Sequence, residues 1–149
     1  MTAQGGKRPE SVLVIVSTLA AEVLLLRRRQ PACLWQSVTG SLEWAEDAAA
    51  AAQRELREET GIDADPSALI DCGRCNRYPI APAWRHRYAQ EFSHNTEHVW
   101  RILLPRRSAV SLDPDEHNAF EWLPRRDAVA RAHFPTDRAA ITEFAGLAE

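Results

Sequence analysis

The sequence predicts a single-domain α/β protein on a mixed sheet, and three observations carry that expectation. Short β-branched and aliphatic runs, "SVLVIV" and "EVLLLRRR", open the chain. An alanine-rich segment with a cap residue at each end follows at 47–61. Further strand-like runs, "SALIDCGRCNRY" and "EHVWRILLP", then lead to a helical tail. At 149 residues the chain holds one core and hardly two. A domain of this size buries about 68–70% of its unfolded surface and needs no disulfide. One domain over 1–149 is expected, without repeats or linkers.

The elements follow in order. Residues 11–16 and 22–29 read as two strands joined by "STLAA", and "LWQSVTG" (34–40) is a further extended piece closed by Gly40. Asp47 is placed to cap a helix from Ala48 to about Thr60, with Gly61 as its left-handed stop. Its five alanines are the best helix formers. Residues 67–78 read as a strand and "YPIAPAW" as a proline-broken loop. "RHRYAQEF" (85–92) and "EHVWRILLP" (97–105) read as paired strands, and "DPDEHNAFEWLP" as a turn entering a short strand. In "TDRAAITEFAGLA" the stripe Ala140, Ile141, Phe144 and Leu147 predicts a helix capped by Thr136 or Asp137.

Bulk properties exclude several classes. A net charge of −3 and a pI near 6.0 speak against a general nucleic-acid or membrane-surface binder. The most apolar stretch, Val12 to Leu26, is broken by Glu22 and is shorter than the roughly 20 residues a membrane span needs. With no signal-peptide pattern in "MTAQGGKRPE", a cytoplasmic protein is expected. Three cysteines make no disulfide framework. Cys72 and Cys75 sit in a strand-like run where odd spacing turns them to opposite faces, and no second CxxC completes a zinc set. His94 and His98 likewise lack a helical pattern, so ordinary hydrogen bonds are expected of them. The five tryptophans (Trp35, Trp44, Trp84, Trp100, Trp122) divide between core and site, and spacing does not sort them.

The helix carries the chemistry. On a wheel of about 100° per residue, Glu55 lies between Glu58 and Glu59, so three carboxylates share one face. Ala48 and Ala52 fall on that side, which leaves access to it open. Like charges three and four residues apart cost about 0.2–0.5 kcal/mol per pair. At a helix C-terminus they also oppose the macrodipole. A bound cation reverses both effects. Carboxylate oxygens without Cys or His suit Mg²⁺ or Mn²⁺. Such an ion engages phosphates and promotes attack by water, with a neighbouring carboxylate as proton acceptor. The bland alternative is a surface helix whose glutamates pair with Arg54 and Arg57.

The whole stretch decides between them. Gly40, Glu46, Arg54, Glu55, Leu56, Glu58, Glu59, Gly61 and Ile62 match the Nudix hydrolase signature, G-x5-E-x7-R-E-U-x-E-E-x-G-U with U aliphatic. A chance match is on the order of one in a billion per start position. The resemblance implies an α/β/α sandwich with a mixed sheet and a loop–helix–loop motif. It implies hydrolysis of a nucleoside diphosphate linked to a further group. By the same resemblance Glu55, Glu58 and Glu59 hold Mg²⁺, for which Mn²⁺ can substitute, and Glu55 or Glu58 is the base. Gly40, Glu46, Arg54 and Gly61 support the motif.

Outside the box, "KRPESVLVIV", "LWQSVTGSLE", "LIDC", "RHRYA", "NTEHVW", "EHNAFEWL" and "DRAAITEF" resemble, in order, the bacterial dihydroneopterin triphosphate pyrophosphatases of folate biosynthesis. That likeness implies triphosphate contacts from Lys7 and Arg28, a place beside the substrate for Thr39, and an extra metal-binding glutamate in Glu116. Tyr78 could stack on a flat ring, though dinucleoside polyphosphate hydrolases carry a tyrosine nearby and ADP-ribose relatives use a position near Pro79. The expected partner is a small phosphoanhydride, with no nucleic acid, membrane or obligate protein partner. The nearest alternative is a broader nucleoside triphosphate pyrophosphatase acting on dATP or damaged nucleotides. A ligand sensor without turnover would be expected to lose box glutamates, and this chain keeps them all.

Overall fold

The fold comes from a computed structural model that describes residues 6–147. Its strands are β1 (Glu10–Thr18), β2 (Glu22–Arg28), β3 (Trp35–Gln36), β4 (Val38–Ser41), β5 (Ile70–Pro79), β6 (His94–Leu104) and β7 (His117–Pro124). Three helices accompany them: α1 (Ala48–Thr60), α2 (Arg125–Arg131) and α3 (Pro135–Phe144). The strands form one seven-stranded sheet in which β1 and β6 are parallel and the other pairs antiparallel.

The period of two along β1 explains its unbroken apolar run. Val12, Val14 and Val16 enter one core with Leu24, Leu26, Val38 and the α1 residues Ala51, Ala52 and Leu56. Leu13 and Ile15 enter a second core with Val23, Leu25, Val99 and, from α2 and α3, Ala128, Ala140 and Ile141. A strand covered on both faces needs apolar residues at every position. The result is the expected α/β/α sandwich on a mixed sheet. Among the described residues no helix is long and apolar enough to cross a membrane.

Two features position the site. First, β1 meets β2 at Ser17 and Val23, while β4 lies against β1 over Ser11–Val14. A cavity of about 810 Å³ is lined by Ser11 and Leu13 of β1, Arg28 of β2, Gln36 of β3 and Thr39 to Ser41 of β4. Second, α1 is fixed at both ends. The Asp47 side chain accepts from Ala50 N–H at 2.8 Å, and Gly61 adopts φ +76° and donates to Arg57 O at 2.8 Å.

Several local readings change. Ala48 and Ala52 serve packing rather than access, since both contact the core beneath α1. "LWQSVTG" is broken at Ser37 into β3 and β4, and the strand runs on past Gly40 to Ser41. "RHRYAQEF" is not a strand. Pro82 starts a 3₁₀ helix that runs to Arg87, and a turn at Ala89–Phe92 follows. Tyr88 alone makes an isolated bridge, to Lys7, and β6 instead begins at His94. The last helix starts earlier than its polar residues suggest. Phe134 is its N-cap and Pro135 its first residue, while Asp137 lies buried within the first turn. Leu147 is beyond the helix and 44% exposed. The short α2, with Ala128 as its buried residue, was not anticipated.

Cys33, Cys72 and Cys75 are free, and Cys72 and Cys75 differ in exposure as alternate faces require. His98 Nε2 lies 2.6 Å from Glu10 Oε2, and His94 Nδ1 lies 2.8 Å from Ser93 Oγ. Trp35 packs beside the guanidinium groups of Arg27 and Arg131, and Trp100 and Trp122 border the α1 core.

Candidate active site

The loop before α1 and the middle of that helix are locked by one arginine. Arg54 Nε and Nη2 donate to Glu46 Oε2 and Oε1 at 2.9 and 2.8 Å, a two-bond fork. Its Nη2 also reaches Ser41 O at 3.1 Å, and its Nη1 lies 3.1 Å from both Glu55 Oε2 and Glu58 Oε1. Arg8 Nη1 donates to the carbonyls of Glu43 and Glu46, at 3.0 and 2.8 Å. β4, the loop and the helix therefore form one hydrogen-bonded unit.

Gly40 sets how close the strand comes to Glu55. A Cβ at this position would lie 2.1 Å from the Glu55 carboxyl carbon. Glu59, 6% exposed, stands one turn on, and its Oε1 accepts from Thr39 N–H at 3.4 Å. Burial and the adjacent Glu55 charge push the Glu59 carboxyl well above the usual carboxylate range, and the two side chains are hydrogen-bonded. Burial likewise raises Glu55, against the pull of Arg54. Two carboxyl groups this close can share a proton or a cation.

The three box glutamates share one side of α1, as the wheel has it: Arg54 Nη1 lies 3.1 Å from both Glu55 and Glu58, and Glu59 acts on Glu55 from the next turn. Glu58 is held at the rim by Arg54, its side chain 51% exposed, whereas Glu55 and Glu59 line the cavity. The wheel gives angles around the axis but not the neighbour that captures each carboxylate. Among the described residues no three His, Cys, Asp or Glu side chains are grouped to enclose a metal ion. The donor set still fits Mg²⁺, which is usually held by one or two carboxylates, waters and substrate phosphates rather than by an all-protein cage.

Across the cavity stand Lys7, Arg28 and Glu116, all lining it. Burial lowers the Lys7 pKa, as does the Arg87 charge, while Glu116 and Glu55 raise it. Burial also lowers Arg28, with Glu116 and Glu59 acting against it. The cations and the acidic groups thus feel one another across one space. Arg28 is aimed by Nε donating to Gln30 O at 2.9 Å and lies 5.6 Å from the centre of the Trp84 ring. Thr39 also lines the cavity, but its hydroxyl donates to Val12 O at 2.8 Å. Tyr78 points its hydroxyl at 3.4 Å from Glu97 Oε2, and burial pushes the phenol up to about 12.

Sequence reasoning missed Arg87, His117 and Glu97 and left Trp84 unsorted between core and site; all four share the cavity wall. Arg87 O accepts from Lys7 N–H at 2.8 Å, which ties the start of the chain to the 3₁₀ helix. The signal for that helix was Pro82. Burial, then the Arg28 charge, lower His117 to about 4, so the ring is neutral at physiological pH. Glu97 gave no signal beyond alternation in β6.

The comparisons agree with this geometry. The family description "NUDIX domain" matches residues 7–144. The chain is 40% identical over 141 residues to a dihydroneopterin triphosphate diphosphatase of Escherichia coli, covering 93% of each. It is 33% identical to the Haemophilus influenzae protein of the same name, covering 93% of this chain and 88% of that one. A solved structure of the Escherichia coli dihydroneopterin triphosphate pyrophosphohydrolase superposes with a TM-score of 0.87 at 39% identity, over 95% of this chain and 97% of that one. The sandwich, the loop–helix–loop and these matches together make the chain a member of the NUDIX domain family.

Proposed function

We propose that the protein is a Mg²⁺-dependent pyrophosphohydrolase that converts dihydroneopterin triphosphate to dihydroneopterin monophosphate and pyrophosphate, a step of folate biosynthesis. Near-full-length identity of 40% to a diphosphatase of that name supports the substrate. The observation that carries the reaction type is the enclosed Glu55–Glu59 pair facing Lys7 and Arg28 across one cavity. It puts metal-binding oxygens opposite cations suited to a run of phosphates.

In this reading Glu55, Glu58, Glu59 and Glu116 would hold the metal ions. When bound, Mg²⁺ neutralises charge on the phosphates and makes water a better nucleophile. Lys7 and Arg28 bind the phosphate chain, and the stacked Trp84 keeps the Arg28 guanidinium oriented. Water attacks phosphorus and the bond between the α and β phosphates breaks. Glu55 or Glu58 takes the proton. Arg54 keeps both of these carboxylates placed through the bonds described above. Free thiols at all three cysteines suit a reducing compartment, and the cytoplasm is the setting proposed.

Product analysis tests the reaction. Dihydroneopterin triphosphate in Mg²⁺ should give monophosphate and pyrophosphate in equal amounts, with turnover stopped by a chelator and restored by Mg²⁺. Orthophosphate as the first product, or turnover unaffected by the chelator, would refute it.

A further inference from the structure

The cavity has a second polar floor away from the phosphate end. Glu97 and Asn95 of β6 line it, each only 4% exposed. The Glu97 carboxylate accepts from Asn76 Nδ2 at 3.2 Å and from the Tyr78 hydroxyl at 3.4 Å, and Thr136 also lines the cavity. Both bonds are long, and a carboxylate offers about four lone-pair sites. Among the described residues Glu97 has no ion-pair partner. Asn95 Nδ2 donates to Ser11 Oγ and Tyr78 Oη, at 2.8 and 3.1 Å, while its buried Oδ1 has no partner at all. A buried carboxylate without a cation and an unmet amide oxygen are costly to keep. Both are acceptors, so the floor lacks donors.

The walls around it are flat and apolar. Leu13, Ile80, Trp84 and Phe134 line the same space, with the Trp84 and Phe134 rings 5.9 Å apart. The distance also suits a bridging substrate. Glu97 lies opposite Ser11 of β1, which lies opposite Ser41 of β4. Two strand spacings, about 10 Å, therefore separate this floor from the strand beside Glu55.

We propose that Glu97, with Asn95 beside it, is the specificity-determining group that reads the 2-amino-4-oxo edge of the substrate's heterocycle. This rests on the pterin reading of the substrate. That edge presents an amino N–H and a ring N–H side by side, a match for one carboxylate. Adenine turns an acceptor ring nitrogen toward the same place, so two lone pairs would meet. The walls take the ring faces and the aliphatic tether leads to the phosphates.

The test is kcat/KM for wild type and Glu97→Gln with dihydroneopterin triphosphate, dGTP and dATP, alongside a melting curve. Loss of about 100-fold or more on the first two substrates, mainly through KM, with dATP within about threefold, supports the assignment. Equal loss on all three, or no loss, overturns it. If the variant does not fold, wild type decides. Neopterin should inhibit at least about tenfold better than its 2-oxo analogue, and equal inhibition overturns the assignment. The two readings separate cleanly. A wild type that prefers dGTP to both others, with that preference erased by Glu97→Gln, supports edge recognition and removes the pterin as substrate. A wild type that prefers the pterin, with uniform loss in the variant, overturns the role of Glu97 alone.

Discussion

Gly40→Ala separates the fold from the chemistry. A methyl group at Gly40 would lie 2.1 Å from both Cδ and Oε2 of Glu55 and 2.6 Å from Oε1. Ordinary contact begins at 3.4 Å, so the carboxyl must retreat by 3.4 minus 2.1, or 1.3 Å. The clash is with the end of a flexible side chain, and β4 at Gly40 needs no positive φ. The strand therefore accommodates alanine by turning Glu55 away. An off-rotamer side chain costs about 0.5–1.5 kcal/mol, so the melting temperature should fall only slightly. A displacement of about 1 Å at a reacting group costs on the order of 100-fold. Steady-state pyrophosphate release at saturating Mg²⁺, with thermal unfolding in parallel, reads both quantities. A folded Gly40→Ala within about threefold of wild-type turnover would refute the placement of Glu55 at the reacting centre.

Three further perturbations test the same account. Arg54→Lys keeps the charge but loses the fork to Glu46, and urea unfolding should show a loss of about 1–3 kcal/mol with reduced turnover; unchanged stability would remove its bracing role. Glu58→Gln should lower kcat by about 10²–10⁴ if Glu58 is base or ligand, and an unchanged rate in the folded variant rejects that assignment. Asp137 tests the buried polar structure. Burial pushes its carboxyl up to about 6, against about 3.9 in an unfolded chain. Its contribution is complete below about pH 4 and is lost as pH rises through about 6, roughly 3 kcal/mol in all. The stability advantage of wild type over Asp137→Asn should therefore shrink between pH 4.5 and 7 in urea titrations, and a constant gap would contradict the burial argument.

The parts of the fold that were legible in the sequence are those with local signals. The apolar runs of β1 and β2 announce burial on both faces, and Asp47 and Gly61 bracket α1 where the structure caps it. The phosphate end of the site was legible for the same reason, because a 23-residue stretch brings Gly40 against Glu55 without help from distant chain. Its other half was not. Glu97 and Asn95 acquire meaning only when β6 is laid beside β1 and β5. Asp137 reads locally as a helix cap, yet its oxygens accept from Ser37 N–H and Oγ–H at 2.7 Å, 100 residues away. "RHRYAQEF" reads as a strand beside "EHVWRILLP", but Pro82 upstream had already set a 3₁₀ turn. The place of Glu58 at the rim depended on Arg54, whose choice of partners no wheel contains.

The most direct test of the central claim is the ranking of substrates by kcat/KM in Mg²⁺, with dihydroneopterin triphosphate, dATP, diadenosine tetraphosphate and ADP-ribose compared on one preparation. The account predicts that the pterin leads by about tenfold or more, equivalent to about 1.4 kcal/mol of transition-state binding. A lead for dATP, diadenosine tetraphosphate or ADP-ribose would contradict the proposed substrate while leaving the fold and family in place.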